Sequence, residues 1–389
     1  SDLIVSMQGG QSYKTIGAAI RAASAGDRIL VRPGMYREQV VLDKSLEILG
    51  DGLRKNILIT STKSPVIKNL ASQAKIERLT IDSQPGLAQK LLFQESIPDV
   101  AVEVAAGEFT MADCNIPAQA EVGISIHGAQ TRAFLKGCTI HEAHKGLLFA
   151  DQSGGLVEEC DVFANLEAGV EITGESNPEF RKCFFRSGTG NGVEVHTSGK
   201  GRFEDCLVKG NKHSGVEIHS QGNPTFSNCS IDRNGIGILA HKGGKGVFED
   251  CEVASSSSAN VEIYDTGHPH ISRSRIHSAK KQGFFAHASA QGVLSDCDIF
   301  ANTDVGVSVQ GEKTNPIIAG TKVHDNKGGG VLALDGGHGK FEDCEVFANS
   351  GAAVKVKLHG NPVFENCRIH DGQVGVYVLD EGLGVFEGC

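Results

Sequence analysis

Lys200-Gly201-Arg202-Phe203-Glu204-Asp205-Cys206 and Gly222-Asn223-Pro224-Thr225-Phe226-Ser227-Asn228-Cys229 decide the fold. Both stretches close on Phe-x-x-Cys, and their cysteines are 23 residues apart (229 − 206). The same ending returns in Gly246-Val247-Phe248-Glu249-Asp250-Cys251, in Gly339-Lys340-Phe341-Glu342-Asp343-Cys344 and at Gly360 to Cys367. Cysteines stand at 114, 138, 160, 183, 206, 229, 251, 297, 344, 367 and 389. Neighbouring steps are 22 to 24 residues, apart from two double steps of 46 and 47, where Ser274 and Thr321 fill the empty slots. A period this short and regular is that of a solenoid.

The contents of one period name the solenoid. Gly192-Val193-Glu194-Val195-His196 and Gly215-Val216-Glu217-Ile218-His219 alternate apolar and polar residues and are rich in β-branched side chains. That pattern predicts half-buried strands, and no helical period recurs beside it. Three short strands per coil of about 23 residues predict an all-β, single-stranded right-handed parallel β-helix, with equivalent positions stacked about 4.8 Å apart. Coils of the Gly-x-Phe-Glu-Asp-Cys kind alternate with the Gly-Asn-Pro-x-Phe kind, giving a double unit near 46 residues (251 − 206 = 45; 297 − 251 = 46). The residue after the ladder position alternates in sign through Glu252, Arg275, Asp298, Lys322, Glu345 and Arg368. Opposite charges on neighbouring strands pair, whereas stacked like charges repel.

Three segments follow: an N-terminal cap with the first coils over 1–60, irregular coils with a loop insertion over 61–113, and regular coils of one continuous solenoid over 114–389. Ile16, Ala19, Ile20 and Ala23 are at helical spacing before Gly26, which predicts a capping helix. Leu79 is the last ladder position before Cys114, so an inserted loop is expected within 83–98. The chain opens on Ser1-Asp2-Leu3 without an initiator Met and closes on Gly388-Cys389 inside a coil. The expectation is a piece of a longer protein, with more coils or a further domain beyond residue 389.

Composition narrows the function. There are 37 basic and 47 acidic residues, a net charge of −10 and no basic block, which argues against a nucleic-acid partner. No apolar run approaches the ~20 residues of a membrane span. Eleven cysteines aligned on one inward row point in a common direction, a poor geometry for bridging. They read as free thiols and hence as a reducing, cytoplasmic home. Phosphate loops, nucleophile elbows, Cys-x-x-Cys pairs and His-Glu-x-x-His are missing, and no cofactor is called for.

Two outward rows remain. After the second turn, one position is expected to run Glu171, Glu194, Glu217, Gly237, Glu262, Phe285, and the next outward position Thr173, His196, His219, Leu239, Tyr264, His287. The candidate binding set is therefore Glu171, Glu194, His196, Glu217, His219, Glu262, Tyr264 and His287; no catalytic or metal residue is assigned. Carboxylate and imidazole together suit a divalent ion, a basic peptide or acid–base chemistry in which stacked carboxylates raise one another's pKa. The plain alternative is a solvated acidic face. The other row, His277, Phe300, His324, Phe347, His370, alternates imidazole and phenyl rings that stack from coil to coil.

The alternation of Gly-Asn-Pro-x-Phe with Gly-x-Phe-Glu-Asp, together with Ile369-His370-Asp371-Gly372 and Val374-Gly375-Val376-Tyr377-Val378, resembles the β-helix repeats of CASH domains. It is most similar to those of F-box proteins and their bacterial relatives, although those F-box repeats place Asn where this chain has Cys. The resemblance implies a right-handed parallel β-helix whose long face recognises a protein partner, without catalysis, in a chain that carries additional domains. The alternative is a carbohydrate-binding or carbohydrate-active protein of the polysaccharide lyase or glycoside hydrolase kind, taking an oligosaccharide at the Glu/His rows.

Overall fold

A computed structural model describes residues 2–10, 12–84 and 98–389. The loop expected within 83–98 falls almost wholly outside the described residues. The chain divides into two compact units, 1–190 and 191–389. Each is a right-handed parallel β-helix built of three parallel sheets.

One coil of the second unit shows how the residues make the turn. The strand Arg202–Glu204 turns its single phenylalanine inward. Asp205 then takes a left-handed backbone, φ 53°, and aims Cys206 into the core. Asn228, Asp250 and Arg273 hold the same conformation one, two and three coils on, with φ of 51°, 53° and 46°. Aspartate and asparagine tolerate that region better than most residues, which explains their recurrence before the cysteine. The strand Leu207–Lys209 buries Val208, a second turn passes Asn211, and Ser214–Ile218 buries Val216 and Ile218.

Parallel pairing keeps equivalent residues in phase, so the core is a set of columns. Phe203 pairs with Phe226 and Phe226 with Phe248, their rings stacked at 4.3 and 4.9 Å between centroids. Phe341 and Phe364 repeat the contact at 4.4 Å. A second column runs Val208, Ile231, Val253, Ile276, Ile299, Val323, Val346, all fully buried.

The cysteine column is present, and the thiols are unbridged. Cys114 to Cys367 are buried; Cys389 is exposed. Each sulfur also has a polar duty beyond filling space. The thiols of Cys206, Cys229, Cys251 and Cys297 donate to the carbonyl two residues back at 3.3–3.4 Å. Ser274 and Thr321 occupy the two empty slots as expected, and their hydroxyls make the same bond at 2.7 and 2.9 Å. A short side chain with one donor is what the position requires, so Ser and Thr substitute there. Burial pushes the Cys297 thiol up to about 11, which keeps it protonated and unreactive at neutral pH.

A second internal column was missed from the sequence. Five residues past the ladder position stand Asn165, Asn211, Asn234, Asn302, Asn326 and Asn349, all buried. Asn326 Nδ2 donates to Asn349 Oδ1, and Asn302 Nδ2 to Asn326 Oδ1, at 3.0 and 2.9 Å. These amides satisfy the backbone of a turn that is closed to water. Glycine packs against them: a Cβ on Gly215 would come within 2.7 Å of Asn234 Nδ2 and 2.8 Å of the Gly237 carbonyl.

In the first unit, Thr15 caps the helix Ile16–Ala22, which buries Ile16, Ala19 and Ile20 against the first strands. Leu79 is fully buried, and Thr80 pairs with Asn115, which puts Leu79 in register with Cys114 as expected.

Candidate functional site

Strands Asn191–Val195, Ser214–Ile218, Ile236–Ala240, Val261–Ile263 and Phe284–His287 carry the Glu/His rows of the second unit. Their inward valines and isoleucines anchor the sheet, so alternate side chains face out. Glu194 pairs with Glu217 in register. The next partner is Leu239, not Gly237, and Leu239 pairs with Glu262 and Glu262 with Phe285. The expected rows were two residues out at this coil. Gly235-Ile236-Gly237 offers two glycines, and the sequence reading aligned the first. The close-packed position takes Gly237, whose Cβ would come within 2.4 Å of the Asn260 carbonyl.

This register brings His241, absent from the expected rows, onto the same face. His241, not Leu239, follows His219 in the outer row, and the rings form one column. Centroids are 4.9 Å apart for His196–His219, 5.2 Å for His219–His241, 4.9 Å for His241–Tyr264 and 5.3 Å for Tyr264–His287. Three of these rings also reach back to a carboxylate of the preceding coil. Nε2 of His219 lies 3.2 Å from Glu194, that of His241 2.8 Å from Glu217, and that of His287 3.0 Å from Glu262. The His241 side chain is 8% exposed, and its Nδ1 is buried without a hydrogen-bond partner.

Two like charges on adjacent strands need a mediator, and Asn191 supplies it. Its Nδ2 donates to Glu217 at 2.6 Å and to Glu194 at 3.3 Å, while its Oδ1 lies 2.7 Å from His213 Nδ1. The Glu217 carboxyl is therefore not raised by its stacked neighbour. Burial opposes ionisation of Glu217. Hydrogen bonds from His241 and Asn191 and the charges of His241 and His213 outweigh it, holding the carboxyl below its ordinary value. A lowered carboxylate contributes stability above the ordinary range and loses it as pH falls through the lowered value. Glu217→Gln should thus cost about 1–2 kcal/mol near neutrality. Urea denaturation followed down in pH should show the gap to wild type shrinking below the ordinary carboxylate range.

Glu171 belongs to the first unit, where Lys145 Nζ sits 2.6 Å from its carboxylate, so its charge is compensated. The first unit has its own version of the pairing: His127 Nε2 lies 2.9 Å from Glu103, which Lys68 also holds at 3.1 Å.

Ser220, His219 and Glu194 stand in the order of a nucleophile, base and acid, with His219 Nδ1 3.0 Å from Ser220 Oγ. The same motif recurs on another sheet as Ser278, His277 and Glu252, at 2.9 and 2.8 Å. In both, the hydroxyl residue follows its histidine in a left-handed conformation, φ 48° and 59°. Recurrence at a turn marks a structural solution. Among the described residues no group of three or more His, Cys, Asp or Glu is placed to hold a metal ion.

The second expected row is assembled as read. His277–Phe300, Phe300–His324, His324–Phe347 and Phe347–His370 stack at 4.7, 5.3, 4.7 and 5.2 Å. The alternating charges beside it pair as Arg275–Glu252 at 3.1 Å and Arg368–Glu345 at 3.6 Å. The acids are shared with the ring row: His277, His324 and His370 each lie 2.7–2.9 Å from Glu252, Asp298 and Glu345.

The model of the right handed beta helix region matches residues 66–224, 168–321, 214–368 and 306–389. The chain belongs to the right handed beta helix family. This β-helix is similar in structure to a periplasmic alginate epimerase double mutant, at 12% identity and TM-score 0.48, covering 92% of this chain and 77% of that one. It is similar also to the mannuronan C-5 epimerase A-module of Azotobacter vinelandii, at 12% identity and TM-score 0.39, covering 95% and 93%. A third is the pectin methylesterase of Erwinia chrysanthemi, at 17% identity and TM-score 0.36, covering 60% and 78%. No curated protein matches the sequence.

Proposed function

We propose that this β-helix binds a carbohydrate, laying a linear oligosaccharide along the Glu/His face of residues 191–389. One observation carries the reading. The face is a row of prepositioned polar groups, Glu194, Glu217 and Glu262 with the imidazoles of His219, His241 and His287, one per coil except where Leu239 stands between Glu217 and Glu262. Carboxylates accept from sugar hydroxyls and imidazole or amide N–H groups donate to them. Protein interfaces draw their affinity from aromatic or arginine anchors in pockets. The row from Glu194 to Glu262 contains no arginine, and the exposed Ile317 and Leu358 lie outside it; in register it continues through Phe285 to the exposed Tyr377. The protein-recognition role and the narrower kinship with CASH and F-box repeats remain a second proposal, supported by the repeat motifs. Unbridged thiols support a reducing compartment, and the helix Ile16–Ala22 is proposed to cap the first coil.

Calorimetric titration of neutral linear oligosaccharides into the full chain tests this. At least one should bind, Glu194→Gln should weaken it about tenfold with melting unchanged, and no cleavage should occur. A panel in which nothing binds would remove the carbohydrate reading. Turnover abolished by Glu194→Gln would replace binding with catalysis.

A further inference from the structure

The first unit holds a cleft of about 400 Å³ on the outside of its early coils, lined by Arg37, Gln39, Thr60, Thr62, Lys63 and Gln84 among others. It forms where the chain leaves the strands Gly34–Arg37 and Ile57–Ser61 for the next sheet. Arg37 pairs with Thr60 in register, and Thr60 with Asp82, so the three share one outward row. Backbone bonds from Glu38 N to Thr60 O and from Gln84 N to Ser61 O, at 3.0 and 3.1 Å, fix the cleft floor.

Three features distinguish this cleft from an ordinary surface dip. Arg37 and Lys63 have no ion-pair partner among the described residues, unlike Arg28, Lys68 and Lys75 of the same unit. The one carboxylate in the lining, Glu38, is engaged elsewhere: its oxygens accept from the backbone N–H of Ile16 and Gly17 at 2.8 and 2.9 Å. Thr60 is 4% exposed, yet its Oγ1 has no hydrogen-bond partner, and neither has the buried Oδ1 of Asp82 beside it. A buried polar atom left unpaired is costly, and Thr60, which lines the cleft, calls for a ligand group there. Burial also raises the Asp82 carboxyl above its ordinary value, more than the Gln84 amide lowers it.

We infer that this cleft binds a sugar carrying one anionic group, a uronate or a sugar phosphate. The anion sits between the Arg37 guanidinium and the Lys63 ammonium, which suit carboxylate and phosphate alike. Sugar hydroxyls satisfy Thr60 Oγ1 and donate to the side-chain oxygens of Gln39 and Gln84, whose Nε2 groups already bond the Pro65 carbonyl and Asp82. The volume lies within the range of small-molecule sites and exceeds what a bare phosphate fills. The site lies in the unit that does not carry the Glu/His row, so either assignment can fail without the other.

The test is titration of the full chain with glucuronate, glucose 6-phosphate, glucose and inorganic phosphate, followed by calorimetry. Saturable binding is expected for at least one of the two anionic sugars, and which one binds identifies the anion. Glucose should not bind, and inorganic phosphate should bind more weakly. The exposed pair Arg37→Ala and Lys63→Ala should together weaken binding by about tenfold or more. Thr60→Val, which keeps the shape, should weaken the sugar while leaving inorganic phosphate unchanged. Binding of neither anionic sugar, indifference to the Arg37 and Lys63 changes, or inorganic phosphate binding as tightly as the sugar would overturn the assignment.

Discussion

Phe226→Ala should destabilise the protein by about 3–5 kcal/mol, the range for removing a fully buried phenylalanine from a packed core. Phe226 is 0% exposed, with Phe203 stacked on one side and Phe248 on the other. Truncation deletes both ring contacts and leaves a gap in the middle of a column. Neighbouring coils cannot collapse into that gap, because their strands are pinned by pairing on both edges. Leucine should restore part of the loss, since it refills volume without restoring the offset ring stack. Urea denaturation of the three proteins checks this, and a loss for Phe226→Ala under about 1 kcal/mol would mean that the column is not the core.

Asn326→Ala is expected to cost about 3 kcal/mol, by a different mechanism. Its Oδ1 accepts from both the backbone N–H and the side-chain amide of Asn302, at 3.1 and 2.9 Å. Its Nδ2 donates to the His324 carbonyl and to Asn349 Oδ1, each at 3.0 Å. Alanine removes all four bonds at roughly 1 kcal/mol or less apiece, and only Asn302 Nδ2 and Asn349 Oδ1 keep another partner, at the Ile276 carbonyl and the backbone N–H of residue 326. Serine, with one shorter donor, should recover little. The position also separates the two internal ladders: Cys251→Ser should be far milder than Asn326→Ala, because Ser274 and Thr321 already show a hydroxyl working in the cysteine column.

The cysteine period carried most of the fold on its own. Identical spacing forces identical environments, and the alternating Glu252, Arg275, Asp298 row then followed from charge. The asparagine column was equally legible, five residues past each ladder position in Cys206/Asn211 and Cys229/Asn234. It went unread because asparagine near glycine usually means a solvated turn, whereas here the turn is buried. The aspartates before the cysteines had a reason, a left-handed backbone, that no composition argument contains.

The candidate site was legible in its residue types but not in its register. A 22-residue coil between Cys229 and Cys251, with two glycines two apart, allowed the rows to slip past Leu239 and lose His241. Register there is set by which glycine meets the Asn260 carbonyl, a contact across coils that local pattern does not encode. Asn191 was invisible for a related reason, since its role is to join two carboxylates from neighbouring coils. The Arg37 and Lys63 cleft was missed because its residues form no motif and meet only when two early coils are laid side by side.

Thiol accessibility tests the central claim most directly. Intact-mass measurement after alkylation of the native protein should find one modified cysteine, the exposed Cys389, and after unfolding without reductant all eleven. Adducts missing in pairs after unfolding would reveal bridges, and several reactive thiols in the native state would show that the sulfurs do not line the interior; either result would contradict the stacked-coil account.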